Sequence, residues 1–253
     1  MTKPLQNKIA LVTGGSKGLG KAIALRLARD GADVIVTYGS DKTGAEGVVA
    51  AITKEGRKAY AVQGEVGNVA AIRKTFAEID KLGLKSLDIL INNAGVFPVG
   101  GLEDATEEVF DKVFDINVKG LFFTTQEAAK RLSNGGRIVN ISTGLTRYTA
   151  GSAMTIYSAS KGAVDILTRD FAATLGPRGI TVNAVHPGLT ATEGTLSAGT
   201  TSSKDYTDLV IKATALGRLG QPDDIADVVA FFCSNDARWT TAQHLEASGG
   251  ARL

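Results

Sequence analysis

The sequence predicts a single α/β domain, a doubly wound parallel sheet with helices on both faces. Three observations predict it. Short β-branched runs alternate with longer amphipathic stretches along the whole chain, the pattern of successive βαβ units. Those runs are apolar at nearly every position, as strands buried on both faces must be. The 253 residues are 43% hydrophobic and 21% charged, a length and balance that suit one globular domain with a large core.

Each element has its own reason. Ile9–Thr13 reads as a buried first strand, followed by the glycine turn Gly14, Gly15, Gly18 and Gly20. Lys21–Arg29 carries Ile23, Leu25, Leu27 and Ala28 and suits a helix. Asp33–Tyr38 is the second strand, Thr43–Glu55 a second helix and Lys58–Val62 a third strand. Val69–Leu82 places Ile72, Phe76 and Ile79 at helical spacing. Leu87–Ile91 is the fourth strand, Glu107–Leu132 one long helical region, and Gly136–Ser142 holds the fifth strand. Ile156–Leu175 is a helix, Thr181–Val185 the sixth strand, Asp223–Cys233 a late helix and His244–Ala247 the last strand. Leu189–Thr207 lacks clear periodicity and is rich in Thr, Ser, Gly and Ala. Such a stretch inside a compact domain is expected to be a binding loop, here a lid over 189–213.

Composition excludes several classes. A formal net charge of +2 argues against nucleic acid as the main partner. The single cysteine, Cys233, excludes an internal disulfide and a cysteine-rich metal site, and its apolar setting reads as core. His186 and His244 are the only histidines, each at a strand end; both read as structural, and no metal site is expected. No apolar run approaches a membrane span, and the start of the chain is polar. A cytoplasmic protein is the expectation.

The turn Thr13-Gly14-Gly15-Ser16-Lys17-Gly18-Leu19-Gly20 lies between the first strand and first helix. Glycines there permit a tight turn and let the backbone approach a pyrophosphate, while the helix N-terminus offers N–H groups and a positive dipole. This is a Rossmann-type dinucleotide site, with Gly-x-x-x-Gly-x-Gly in place of the commoner Gly-x-Gly-x-x-Gly. In NAD sites a carboxylate ends the second strand and holds the ribose 2′-OH. Here that strand ends Tyr38-Gly39-Ser40, with Asp41 only beyond it. Lys17 brings a cation and Ser40 a hydroxyl to the same corner, so NADP(H) is expected over NAD(H).

Further motifs follow in order: Asn92-Asn93-Ala94-Gly95 after the fourth strand, Ser142 ending the fifth, and Tyr157-Ser158-Ala159-Ser160-Lys161 opening the long helix. Tyr157 and Lys161 are four apart and share a helix face. A ketone reduced by hydride needs a proton donor, which becomes a base in reverse. A phenol titrates near 10, so its use as a base calls for a neighbouring cation such as Lys161. A serine such as Ser142 can orient such an oxygen and stabilise its developing charge. Taken singly, each of these residues has a plain structural reading; the joint occurrence carries the argument.

With Asn117, Asn183, Pro187-Gly188, Gly217-Arg218 and Ser248-Gly249-Gly250, these motifs resemble the short-chain dehydrogenase/reductase family over nearly the whole chain. Among named activities the likeness is to 3-oxoacyl-[acyl-carrier-protein] reductases and related ketoreductases. The resemblance implies Tyr157 as general acid/base, Lys161 on the nicotinamide ribose, Ser142 on the substrate oxygen and Asn117 in a proton relay. It implies cofactor contacts from Gly14, Ser16, Lys17, Gly18, Leu19 and Gly20, then Tyr38, Gly39 and Ser40. Further contacts fall on Glu65 and Val66 at the adenine, Asn93, Ala94 and Gly95, and Pro187, Gly188, Thr190 and Thr192. The substrate pocket falls on Val96, Phe97, Gly144, Leu145, Tyr148, Met154, Ile156, Leu189 and Leu196, mostly apolar, which suits a hydrophobic ketone. It also implies a homotetramer built on the helices Glu107–Leu132 and Ile156–Leu175.

Three departures from the family pattern stand out, one of them a Ser142-to-Tyr157 interval slightly longer than the commonest spacing, expected to alter the substrate pocket. Glu65 replaces the usual Asp, and Ala242 stands where Gly is usual. Two other readings remain at this point: a non-catalytic dinucleotide sensor, and an NAD-dependent alcohol dehydrogenase of the same family.

Overall fold

The fold is built outward from β1 (Ile9–Val12), which pairs with β2 (Asp33–Tyr38) on one side and β4 (Leu87–Asn92) on the other. The structure, a computed structural model, describes residues 3–149, 152–197, 199 and 203–252. β3 (Ala59–Gln63), β5 (Leu132–Ile141), β6 (Thr181–Pro187) and β7 (His244–Ala247) extend the sheet to seven parallel strands among the described residues, in the order β3-β2-β1-β4-β5-β6-β7. The chain order reverses between β1 and β4. A crevice opens there at the strands' carboxyl ends, which is where open α/β sheets bind ligands.

The helices are α1 (Gly18–Arg29), α2 (Lys42–Lys54), α3 (Val69–Lys81), α4 (Glu107–Phe114), α5 (Leu121–Ala129), α6 (Thr155–Leu175), α7 (Glu193–Ser197), α8 (Lys204–Lys212) and α9 (Pro222–Cys233). Alternate strand residues feed two cores, because successive side chains leave opposite faces. Ala10, Val12, Val34 and Val36 pack with Ile23, Leu27, Val48, Ile225 and Phe232 from α1, α2 and α9, with Cys233 among them as expected. Leu11, Ile35, Leu90 and Ile138 pack with Phe76, Ile79, Ala128 and Ala172 from α3, α5 and α6. Among the described residues no helix is long and apolar enough to cross a membrane.

Three stretches differ from the sequence reading. Glu107–Leu132 is not one helix. A π-helical turn, Asp115–Gly120, separates α4 from α5, and Leu132 already belongs to β5. At Gly120 an added Cβ would lie 2.5 Å from the Val66 carbonyl oxygen, so this turn is pressed against the chain after β3. β5 starts at Leu132 rather than near Gly136, because Leu132 pairs with Leu87 before the register shifts to Ile89↔Arg137. The aperiodic stretch after Leu189 contains α7, and α8 begins within it, capped by the Ser203 hydroxyl.

Candidate active site

The glycine loop is shaped by contacts on both of its sides. Gly14 and Gly18 adopt φ of +63° and +55°, a region that favours glycine. A Cβ at Gly20 would lie 2.2 Å from the Gly14 carbonyl oxygen. The loop is tied to the end of β4: Asn93 Nδ2 donates to the carbonyls of Thr13 (2.9 Å) and Gly14 (3.0 Å), and Thr13 Oγ1 accepts from the N–H groups of Asn93 and Ala94. No side chain caps α1 from Lys17, and no acidic residue stands in its first turn. The helix N-terminus therefore faces the crevice as an anion site.

One cleft of about 570 Å³ runs from this loop to an apolar far wall. At the loop end it is lined by Gly14, Ser16, Lys17, Gly18, Leu19 and Gly20, then by Gly39, Glu65, Val66, Asn93, Ala94 and Gly95. Ser142, Tyr157 and Lys161 line its middle, and Pro187, Gly188, Thr190 and Thr192 also reach it. Phe97, Leu145, Tyr148, Met154 and Leu189 form apolar wall. These residues suit a dinucleotide: a glycine cradle that side chains would fill, a helix N-terminus without an N-cap side chain of its own and a cation at Lys17. Asp41 is not available to a ribose, because its carboxylate caps α2 by accepting from the Gly44 N–H at 3.0 Å.

Seven expected residues lie off the cleft wall. Tyr38 is buried in the core beside α2, and Ser40 points to solvent past the strand end. Val96 is held by both backbone groups to Asn117. Gly144 is covered by Tyr148, whose hydroxyl would lie 2.9 Å from an added Cβ. Ile156 is half-buried outside the cleft, and Leu196 is 60% exposed on α7. Asn117, in the π-helical turn, is 1% exposed; its Nδ2 donates to the Val96 carbonyl and to Ser160 Oγ, and its Oδ1 accepts from the Val96 N–H. Both ends of its amide thus fix the turn after β4.

The catalytic candidates stand close together. Lys161 Nζ donates to the Ile141 carbonyl at 2.7 Å and lies 5.8 Å from the Tyr157 ring centroid. Phe97 meets the Tyr157 ring edge-on at 6.1 Å. Burial pushes the Tyr157 phenol up to about 12, against a hydrogen bond with Thr143. Burial also pulls the Lys161 ammonium down to about 8, against the charge of Asp165. The sequence reading looked to Lys161 to lower the phenol; in the protein alone, desolvation is the largest influence on it.

The Ser142 hydroxyl donates to Asp165 Oδ1 at 2.6 Å. Burial alone would raise the Asp165 carboxyl, but the facing His186 imidazole and the Ser142 hydroxyl hold it below its ordinary value. The sequence reading missed Asp165, although it stands one helical turn beyond Lys161. It also missed Thr143 and the α8 side of the cleft, Tyr206, Leu209, Val210 and Ala213. These four recur at i, i+3, i+4 and i+7, a helical pattern that the Thr/Ser-rich sequence before them obscures. Arg252, also on the wall, carries no local sequence signal.

Fold and site together define a dinucleotide-dependent oxidoreductase class with a Ser, Tyr and Lys on one cleft wall. Residues 14–252 match the family model described as Enoyl-(Acyl carrier protein) reductase. An uncharacterized oxidoreductase of Methylorubrum extorquens is 47% identical over 98% of this chain and 99% of its own. A short chain dehydrogenase from Burkholderia cenocepacia, solved in complex with NADP, is 40% identical with a TM-score of 0.91, covering 99% of this chain and 100% of its own. The angucycline C-6 ketoreductase LanV, solved with bound NADP, is 39% identical with a TM-score of 0.93, covering 100% of this chain and 98% of its own. The chain belongs to the short-chain dehydrogenase/reductase family and is an oxidoreductase of that family.

Proposed function

We propose that the protein is an NADP(H)-dependent ketoreductase that interconverts an apolar ketone and its secondary alcohol, with Tyr157 as general acid/base. The observation that carries this reading is a continuous cleft, with a glycine cradle at one end, an apolar wall at the other and Ser142, Tyr157 and Lys161 between them. The NADP-bound relatives, one of them a ketoreductase by name, support it. Bound NADP(H) supplies or accepts the hydride. Gly14–Gly20 and Asn93–Gly95 would hold it, with Lys17 at the 2′-phosphate.

The protein's own part is proton management and positioning. With a pKa near 12, Tyr157 is protonated throughout the neutral range and stands ready as the donor for ketone reduction. Its use as a base in oxidation requires positive charge beyond that of Lys161. Ser142 must turn its hydrogen from Asp165 toward the substrate oxygen, exchanging one acceptor for another. Phe97, Leu145, Tyr148, Met154, Leu209 and Val210 exclude water around the ketone. Residues 189–213, with α7 and α8, act as the lid of a single-domain enzyme. Phe110, Phe122 and Ile166 stand exposed on α4, α5 and α6, and these helices are the inferred faces of a homotetramer.

The test compares wild type with Tyr157→Phe. NADPH affinity, read by fluorescence titration, is expected to persist. Ketone turnover, read by NADPH absorbance, is expected to fall about 10²- to 10⁴-fold, the range for losing a general acid. Undiminished turnover would overturn the role of Tyr157. A tighter fit to NADH than to NADPH would overturn the cofactor assignment.

A further inference from the structure

Behind Ser142 lies a buried cluster that hydride transfer does not use. Asp165 on α6, His186 near the end of β6 and His244 at the start of β7 each present one ligand atom, all within 4.8 Å of one another. Asp165 is 8% exposed and His186 1% exposed. The two imidazole rings lie 5.3 Å apart, centroid to centroid.

The hydrogen bonding of this cluster is incomplete. His186 Nε2 lies 3.0 Å from Asp165 Oδ1, yet it has no hydrogen-bond partner of good geometry among the described residues. His244 Nε2 is also buried with no hydrogen-bond partner among the described residues. On its other side, His186 Nδ1 lies 3.4 Å from Thr146 Oγ1, which already donates its hydrogen to the Thr143 carbonyl. With the Thr146 hydrogen on the Thr143 carbonyl, Thr146 is the acceptor and Nδ1 carries the imidazole proton. The Nε2 lone pair then faces a carboxylate in a buried site, an arrangement that needs a cation between the two.

We propose that Asp165, His186 and His244 form a binding site for one divalent transition-metal ion of the zinc class, directly behind Ser142. Two imidazoles and a carboxylate select Zn²⁺, Co²⁺ or Ni²⁺ over the oxygen-seeking Mg²⁺ and Ca²⁺. Ligand bonds of about 2.1 Å in a tetrahedral site place two ligand atoms about 3.4 Å apart, so the 3.0 Å between His186 Nε2 and Asp165 Oδ1 would open slightly to admit the ion. A metal also accepts both lone pairs without the collinearity that a shared proton requires. Thr146 acts as the outer partner that fixes the His186 tautomer. The ion would tie α6, β6 and edge strand β7 together, and it would share the Asp165 carboxylate with the Ser142 hydroxyl.

The test uses tag-free full-length protein stripped with a chelator and titrated with Co²⁺, then Zn²⁺. Calorimetry should give one equivalent, and bound Co²⁺ should show visible d–d bands that Zn²⁺ abolishes. His186→Gln and His244→Gln should each weaken binding at least about tenfold, the smallest loss seen for even outer partners, with circular dichroism confirming the fold. His244→Cys should keep the ion and add an intense thiolate-to-Co²⁺ charge-transfer band, a signature that a purely structural role for His244 cannot produce. Absence of stoichiometric binding to wild type would overturn the proposal, as would undiminished binding in both glutamine variants or a His244→Cys protein lacking the new band.

Discussion

The Glu193 carboxylate of α7 accepts a 3.0 Å hydrogen bond from the backbone N–H of Gly18, the first residue of α1. A lid residue thus places a negative charge at the helix end where the glycine loop would receive a pyrophosphate. The two anions repel and compete for the same N-terminal dipole.

Glu193→Gln should therefore tighten NADPH binding about two- to fivefold, the equivalent of 0.3–1 kcal/mol for one charge at a helix terminus. Fluorescence titration reads it. An unchanged or weaker affinity would mean that Glu193 closes over bound dinucleotide instead of competing with it.

The pH profile of ketone reduction should carry the signature of Lys161. Its pKa, lowered to about 8 by burial, means that the ammonium is charged below pH 8 and loses its charge above it. Tyr157 stays protonated to about 12 and cannot supply this limb. kcat/KM, which reports the free enzyme, should fall as pH rises through about 8. In Lys161→Arg the limb should vanish, because the guanidinium does not titrate there; a limb retained at the same pH would assign it to another group. Folding should respond with the opposite sign. Between about 8 and the ordinary lysine range the unfolded chain binds the extra proton, so this group's contribution to stability rises with pH.

Lys17→Ala should weaken NADPH by about tenfold and leave NADH within about twofold. A charge-assisted bond to a phosphate is worth about 1.5–3 kcal/mol, reduced here because Lys17 is exposed. Equal losses for both cofactors would remove Lys17 from the 2′-phosphate.

Ala242 explains itself in the structure. Its φ is +58°, a left-handed conformation that costs a non-glycine residue about 1–2 kcal/mol. That is the reason glycine is usual there. Ala242→Gly should raise the melting temperature by about 1–4 °C, since relief of strain outweighs the added freedom of the unfolded chain. Differential scanning calorimetry checks it, and a lower melting temperature would show that the alanine methyl packs usefully.

The sequence by itself determined whatever rests on neighbours along the chain. Short apolar runs placed β2 at Asp33–Tyr38 and β7 at His244–Ala247, where the structure has them. Helical spacing put Tyr157 and Lys161 on one face, and a glycine turn after the first strand marked the dinucleotide end of the cleft. Tertiary structure decided the rest. Packing alone ties both ends of the Asn117 amide to the backbone of Val96. The burial that pushes the Tyr157 phenol up is likewise a product of packing. Asp165, His186 and His244 stand on three separate elements, and no spacing rule links them. Local sterics and periodicity act over a few residues and are written in the sequence. Desolvation and the meeting of side chains depend on which surfaces pack together, and that exists only once the sheet has closed around them.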